Sequence, residues 1–439
     1  MSNQAITTKK NRLALYIGLG GGVALEWYDW SIYGLMATFF GAHFFPSNNN
    51  ITSTLDALAV FALGFVIRPI SGAIFGPVAD RIGHKKVLLW SIGAMALSSL
   101  AMGIMPSYSE IGTSAAILLT LARLVQGVST GIENPAASAA QLEMGRPGRR
   151  GFFAGIITGS FNQIGTLLAA VVAFLASMVF GKEIMADWGW RVPFIIGGVS
   201  AIIVLLARLS LPETGASVSS NKKLESTAKV WSKIWDHRLG VLAIIFVTGG
   251  TMIANYLFLT GLPNLANTVF KENSTSVFGL TSAFYVIMVV AGPIAGYWAD
   301  RFGTSKVYLI LRILLVPAYF VVLLYSQPGL GRLAVVMLGG GLVVAFNQTL
   351  FLYINATLMP QEIRTTGIAI GYGIATAVFG GTASYLFIDA QQVGKMWLFL
   401  TYSAVVCALS VVIYVWARHR GAVSEEEHVV QPLEQGATI

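Results

Sequence analysis

Five charged residues in the first half of the chain lie where an apolar sequence should exclude them. Glu26 and Asp29 stand three positions apart in Glu26-Trp27-Tyr28-Asp29-Trp30, about 12 residues into an apolar run. At about 1.5 Å per residue that depth is close to the middle of a hydrocarbon layer roughly 30 Å thick. Three residues apart on a helix, the two acids share one face. Two carboxylates close together in low dielectric resist joint ionisation, so the pair suits reversible proton binding near neutral pH. Arg123 lies about 11 residues into another apolar run and is the counter-charge available to these acids. Arg68, followed by Pro69, lies at similar depth in a third run, and Glu133 follows Arg123 by ten positions. Each such charge costs at least about 2.5 kcal/mol at a helix centre, so each calls for a partner or a purpose. The expected chemistry is proton coupling through Glu26, Asp29, Arg123 and Glu133, with Arg68 and Arg123 free to hold an anion.

The second half of the chain carries no comparable buried acid. Its apolar runs hold amides and phenols instead, with Asn347, Gln348 and Tyr353 clustered in one run and Tyr372 in the next. Neutral hydrogen-bonding groups suit the selection of a bound molecule without proton chemistry. The five histidines show no metal-ligand spacing, and no nucleophile stands beside a base, so no enzyme and no cofactor are expected. The single cysteine, Cys407, excludes a disulfide framework within the chain. Gly18, Gly20, Gly21 and Gly22 resemble a phosphate-cradling loop only in composition; no strand precedes them, and close helix packing is the better reading.

The elements that position these residues are membrane helices. Of the 439 residues, 55% are apolar and only 11% charged, with a mean hydropathy of +0.70. A soluble globule would carry about 25% charge. Twelve stretches reach the roughly 20 apolar residues a span needs, the first at 14–41 and the last at 395–417. With the N-terminus inside, twenty of the 28 Lys and Arg fall on the cytoplasmic side and five outside, which predicts cytoplasmic termini. The net charge of +8 is thus topological and implies no nucleic-acid partner. Residues 72–89 and 292–309 align without a gap and are identical at ten of eighteen positions, an offset of 220. Each copy runs from glycine-spaced apolar residues through Asp-Arg-x-Gly into a new apolar run. Two related membrane halves predict an all-α protein of two pseudo-symmetric six-helix bundles, an architecture of transporters. The expected units are 1–211, a polar cytoplasmic linker 212–238, 239–420, and a disordered cytoplasmic tail 421–439. Within the linker, Trp231 and Trp235 with nearby lysines fit a short amphipathic helix on the membrane face.

The chain resembles the major facilitator superfamily, and within it the metabolite:proton symporter family, whose bacterial members carry citrate, 2-oxoglutarate, shikimate and proline or betaine. The residues that carry the resemblance are Glu26-Trp27-Tyr28-Asp29; Gly64, Phe65, Arg68, Pro69 and Gly72; Arg123, Gln126, Gly127, Gly131 and Glu133; Trp188-Gly189-Trp190-Arg191; and Pro360, Arg364 and Gly367. His84 stands where the family's first Asp-Arg-x-Gly loop usually has arginine. The resemblance implies a central cavity lined by the first, fourth, seventh and tenth helices, with alternating access by rocking. It also implies gating at the cytoplasmic face by Asp80, Arg81 and Lys85, by Asp300 and Arg301 in the second copy, and by Arg364.

Residues and resemblance together predict a bacterial inner-membrane carrier driven by the proton gradient, probing no partner beyond substrate, protons and the lipid bilayer, and working as a monomer. It would import a small polar metabolite, with a leaning to an organic acid held by Arg68 or Arg123 and selected by Asn347, Gln348, Tyr353 and Tyr372. A proton-driven exporter and a non-transporting nutrient sensor are the alternatives.

Overall fold

The computed structural model describes residues 9–82, 84–143, 150–209, 227–360 and 362–421. Nine helical stretches among them are long and apolar enough to cross a membrane, and Leu89–Ile104 and Arg191–Ala207 are shorter apolar helices. With the first helix, Lys9–Phe44, of 36 residues, these make the twelve expected spans. The remainder of the first half comprises the second helix, Asn50–Ile82, the third, His84–Ile104, the fourth, Thr113–Glu143, and the sixth, Arg191–Leu209. The fifth begins as Arg150–Ala154, widens to a π-helical stretch at Gly155–Phe161, and continues as Asn162–Ile184. A short helix, Thr227–Asp236, carries Trp231 and Trp235, both exposed, and is tied by Lys233 to Glu362 at 2.5 Å.

In the second half the seventh helix starts as Arg238–Tyr256 and passes through π-helical turns at Leu257–Gly261 and Leu265–Val269. The eighth is Ser274–Phe302 and the ninth Thr304–Val321. The tenth ends as Gly341–Thr357, the eleventh joins Arg364–Ala375 to Gly381–Gln392 through a π-helical turn at Thr376–Gly380, and the twelfth is Met396–His419. π-Helical turns interrupt the regular backbone ladder and often accompany functional positions. In this half they fall in the seventh helix, in the tenth at Val335–Gly340 and in the eleventh, which carry the polar residues of this half.

The halves meet along three seams. Where the fifth helix crosses the eighth, backbones touch: a Cβ on Gly155 would lie 2.3 Å from the Gly292 carbonyl oxygen. Gly292 belongs to the repeated motif, which explains glycine there: only residues without a side chain let two helices approach this closely in lipid. The second helix packs on the eleventh, with Pro69 against Gly373 and Phe65 against Gly381. At the face away from the chain termini, the first and seventh helices are stitched by Asn264 Nδ2 donating to the Gly34 carbonyl at 2.7 Å and by Thr38 and Thr268 sharing a hydrogen bond of 2.5 Å. The Trp-Gly-Trp-Arg element is a staple within the first half. Trp190 is buried, and Arg191 Nη1 donates to the Met105 carbonyl at 2.6 Å, fastening the start of the sixth helix to the end of the third.

Candidate functional site

The buried charges converge on the first helix at Trp30. Arg68 from the second helix stacks its guanidinium 3.8 Å from the centre of the Trp30 ring, and Arg123 from the fourth does the same at 3.8 Å. The two cations therefore lie no further apart than twice that distance. Phe65 adds a ring face to Arg68 at 4.3 Å, and Tyr33 adds one to Arg123 at 4.3 Å. Ring faces attract cations most strongly where water is excluded, which offsets part of the cost of burying both. Trp30 is itself held by Nε1 donating to Thr130 Oγ1 at 2.7 Å. The second and fourth helices can bring both arginines to one ring because Gly127 packs on the Gly64 carbonyl, where a Cβ would be 2.4 Å away.

Glu26 and Asp29 are both buried, and they turn to different neighbours. Asp29 points into the first half, where Ser99 of the third helix donates to Oδ1 and Gln126 of the fourth donates to Oδ2. Glu26 lies within electrostatic range of Tyr256 and Tyr372 across the seam between halves. Three residues on a helix sweep about 300°, leaving the two side chains about 60° apart. The two acids therefore lie on one face of the first helix, as their spacing predicts. Arg123 reaches Asp29 through Gln126, whose Oε1 accepts from Arg123 Nη1 at 2.5 Å. After that bond, Arg123 Nε and Nη2, with Arg68 Nε, are buried donors without partners among the described residues. The side chains of Glu133, Asp80, Arg81 and Lys85 lie outside the described residues.

The second half contributes Tyr256, whose ring meets Phe61 and Phe65 edge to face at 5.6 and 5.1 Å. Beside it, both side-chain polar atoms of the buried Asn255 lack partners among the described residues. Tyr372 stacks on Phe351, Tyr353 is half-buried on the tenth helix, and Gln348 donates to the Thr251 carbonyl at 3.2 Å. Asn347 accepts at 2.7 Å from Arg312, a residue sequence reasoning did not single out. Arg312 is fully buried on the ninth helix and joins four helices, donating also to Ser410 Oγ at 2.8 Å and to the Val247 carbonyl. Ser99 and Gln126 were likewise not assigned a role. For Arg312 the signal was the charge itself; for Gln126 it was the three-residue spacing from Arg123, which puts both on one helix face.

At the face carrying the termini, Asp300 accepts from the backbone amides of Gly151 at 2.6 Å and Phe152 at 2.8 Å. A carboxylate on the first amides of a helix meets unpaired donors and the positive end of the helix dipole together. The repeated aspartate of one half thus holds a helix end of the other. Arg301 donates to the Tyr297 hydroxyl at 3.3 Å, and Arg364 Nε donates to the Met359 carbonyl at 3.3 Å.

Two repeated six-helix halves around buried charges define a membrane transporter, and sequence comparison agrees: the model of the Major Facilitator Superfamily matches residues 19–370. The chain belongs to that superfamily and, within it, to the metabolite:proton symporter family. It is 30% identical to the alpha-ketoglutarate permease of Escherichia coli (strain K12), covering 94% of this chain and 95% of that protein. It is 27% identical to a citrate-proton symporter of Klebsiella pneumoniae, covering 93% and 92%. It is 31% identical to the proline/betaine transporter of Escherichia coli (strain K12), covering 88% and 80%. Among solved structures, a D-xylose-proton symporter superposes with a TM-score of 0.72 at 16% identity, over 92% of this chain and 97% of that one. The chain therefore moves a solute across a membrane and does not transform it.

Proposed function

We propose that this chain is a proton-coupled importer of small organic acids in a bacterial inner membrane, with both termini cytoplasmic, each monomer working by alternating access. One observation carries the substrate class: two guanidiniums share the Trp30 ring, and Arg68 Nε, Arg123 Nε and Arg123 Nη2 are buried donors without partners among the described residues. A buried donor without an acceptor costs about 1–3 kcal/mol, more when charged. A carboxylate removes that cost with short, charge-assisted bonds, often two to one guanidinium. Asp29 and Glu26 carry the proton in this reading, with Arg123 as the link to substrate and Glu133 on the path to the cytoplasm. Asn347, Gln348, Tyr353 and Tyr372 select the remainder of the molecule, with Arg312 holding Asn347 through its Oδ1. Asp80, Arg81, Lys85, Asp300, Arg301 and Arg364 latch the cytoplasmic face. The names of the relatives, an alpha-ketoglutarate permease and citrate-proton symporters, support the same class.

A second reading, a betaine or proline carrier, draws on the neighbouring rings of Phe61, Phe65 and Tyr256, because ring faces attract a quaternary ammonium group. The two separate in a thermal-shift and uptake-competition panel of alpha-ketoglutarate, citrate, proline and glycine betaine on purified protein. The organic-acid reading expects stabilisation and competition by alpha-ketoglutarate or citrate. Stabilisation by glycine betaine or proline alone would replace it with the second reading, and a response to none would sink both.

A further inference from the structure

Between Asp29 and Arg123 stands one neutral side chain. Gln126 is fully buried, with Oε1 accepting from Arg123 Nη1 at 2.5 Å and Nε2 donating to Asp29 Oδ2. Ser99 Oγ lies 3.1 Å from the same Nε2 and donates to Asp29 Oδ1. A guanidinium only donates and an ionised carboxylate only accepts. The carboxamide is therefore bound in a single orientation, oxygen to Arg123 and nitrogen to Asp29, for as long as Asp29 is ionised.

A proton on Asp29 Oδ2 turns that acceptor into a donor, facing another donor. A half-turn of the Gln126 carboxamide resolves the conflict, because Oε1 then accepts from the new Asp29 O–H while Ser99 stays on Oδ1. The same half-turn points Nε2 at Arg123, donor against donor, and removes the one side-chain hydrogen bond that Arg123 makes among the described residues. We infer that Gln126 is an orientational relay: a proton bound at Asp29 releases the Arg123 guanidinium toward a substrate carboxylate, and loss of that proton reclaims it. The proton arrives on Asp29 and leaves from Asp29, and Gln126 carries none. Gln126 is thus a positioning residue, and the sign is that of symport, since protonation promotes substrate binding. The inference rests on the reading of Arg123 as an anion-binding group.

Other groups around Asp29 leave this route open. On its own helix, Tyr28 is committed to the Pro193 carbonyl of the sixth helix at 2.8 Å, and Glu26 lies within electrostatic range of Tyr256 and Tyr372. The sixth helix presents Gly197, which has no side chain, and the fifth presents Thr166, which bonds to Ser31 at 3.2 Å. From the second helix, Arg68 stacks on Trp30. Among the described residues, only Ser99 and Gln126 donate side-chain hydrogen bonds to Asp29.

The test is the KM for uptake of alpha-ketoglutarate, citrate or proline, whichever the wild type accumulates, at external pH of about 6 and about 8 in proteoliposomes. Coupling of two ligands commonly changes affinity by about 5–150-fold, so the wild-type KM is expected to rise roughly tenfold at the higher pH. Gln126→Met, which cannot hold Arg123, should give a low KM at both pH values, with a ratio under about twofold. Gln126→Glu, which offers Arg123 a permanent acceptor, should give a high KM at both. A residue that served packing alone would not move the two variants in opposite directions. Wild-type pH dependence retained in both variants, or in whichever of them inserts and folds, would overturn the relay. Failure of the wild type to accumulate any of the three would instead overturn the substrate reading itself.

Discussion

Replacing Arg123 by lysine keeps the charge and discards the fork. In the folded protein the guanidinium holds Gln126 through Nη1 at 2.5 Å while its plane covers Trp30 at 3.8 Å and Tyr33 at 4.3 Å. An ammonium is a point charge and can satisfy one of these demands at a time. Loss of one charge-assisted hydrogen bond costs about 1.5–3 kcal/mol, and loss of stacking about 0.5–1 kcal/mol. Together that is about 2–4 kcal/mol, or roughly 30- to 700-fold in uptake efficiency at 1.4 kcal/mol per tenfold. Arg123→Lys should accordingly fall nearly as far as Arg123→Ala. Initial uptake rates in membrane vesicles, normalised to inserted protein, give the comparison. Recovery by lysine to within about threefold of wild type would refute the geometric argument and reduce the role of Arg123 to neutralising charge.

Asp29→Asn keeps the shape of the side chain but cannot cycle a proton, so gradient-driven accumulation should be lost while downhill exchange continues. Uptake with and without a pH gradient decides this, and unchanged accumulation removes Asp29 from coupling. Asp300→Ala deprives the Gly151 and Phe152 amides of their acceptor, at a cost of about 1–3 kcal/mol to the closed cytoplasmic face. Labelling from outside of a cysteine introduced at Thr38, on a Cys407→Ser background, should slow as the inward-facing state gains. Asp80→Ala should slow it more, because Arg81, Lys85 and Lys86 surround that copy in sequence; an equal or smaller effect would shift the latch to the second copy. Gly155→Ala sets a methyl 2.3 Å from a backbone oxygen that has no side chain to move aside, so melting should fall by about 1–3 kcal/mol of stability. An unchanged melting temperature would mean that the fifth and eighth helices do not meet this closely.

The architecture was legible because a span must be about 20 apolar residues long, and that requirement is written directly in composition. The charges at Asp29, Arg68 and Arg123 were legible for the complementary reason, since nothing but function or pairing retains them in lipid. What joins them was not. Ser99 is an ordinary polar residue in an apolar helix, and its value depends on facing Asp29 from seventy positions away. Arg312 was visible as a charge, yet its partners are a carbonyl, a hydroxyl and an amide, and a search for nearby acids passes over such a set. The same arginine holds Asn347 through Oδ1 and leaves its Nδ2 a buried donor without a partner among the described residues. Sequence spacing put Glu26 and Asp29 on one helical face, but not the side chains that meet Asp29 there, Ser99 of the third helix and Gln126 of the fourth.

Co-transport of protons with substrate tests the central claim most directly. Purified protein in proteoliposomes, given an inward proton gradient, should accumulate alpha-ketoglutarate or citrate above the external concentration, acidify the lumen as it does so, and lose both effects when a protonophore is added. Uptake that stops at equal concentrations on the two sides, or accumulation that persists with the gradient collapsed, would contradict proton-coupled import.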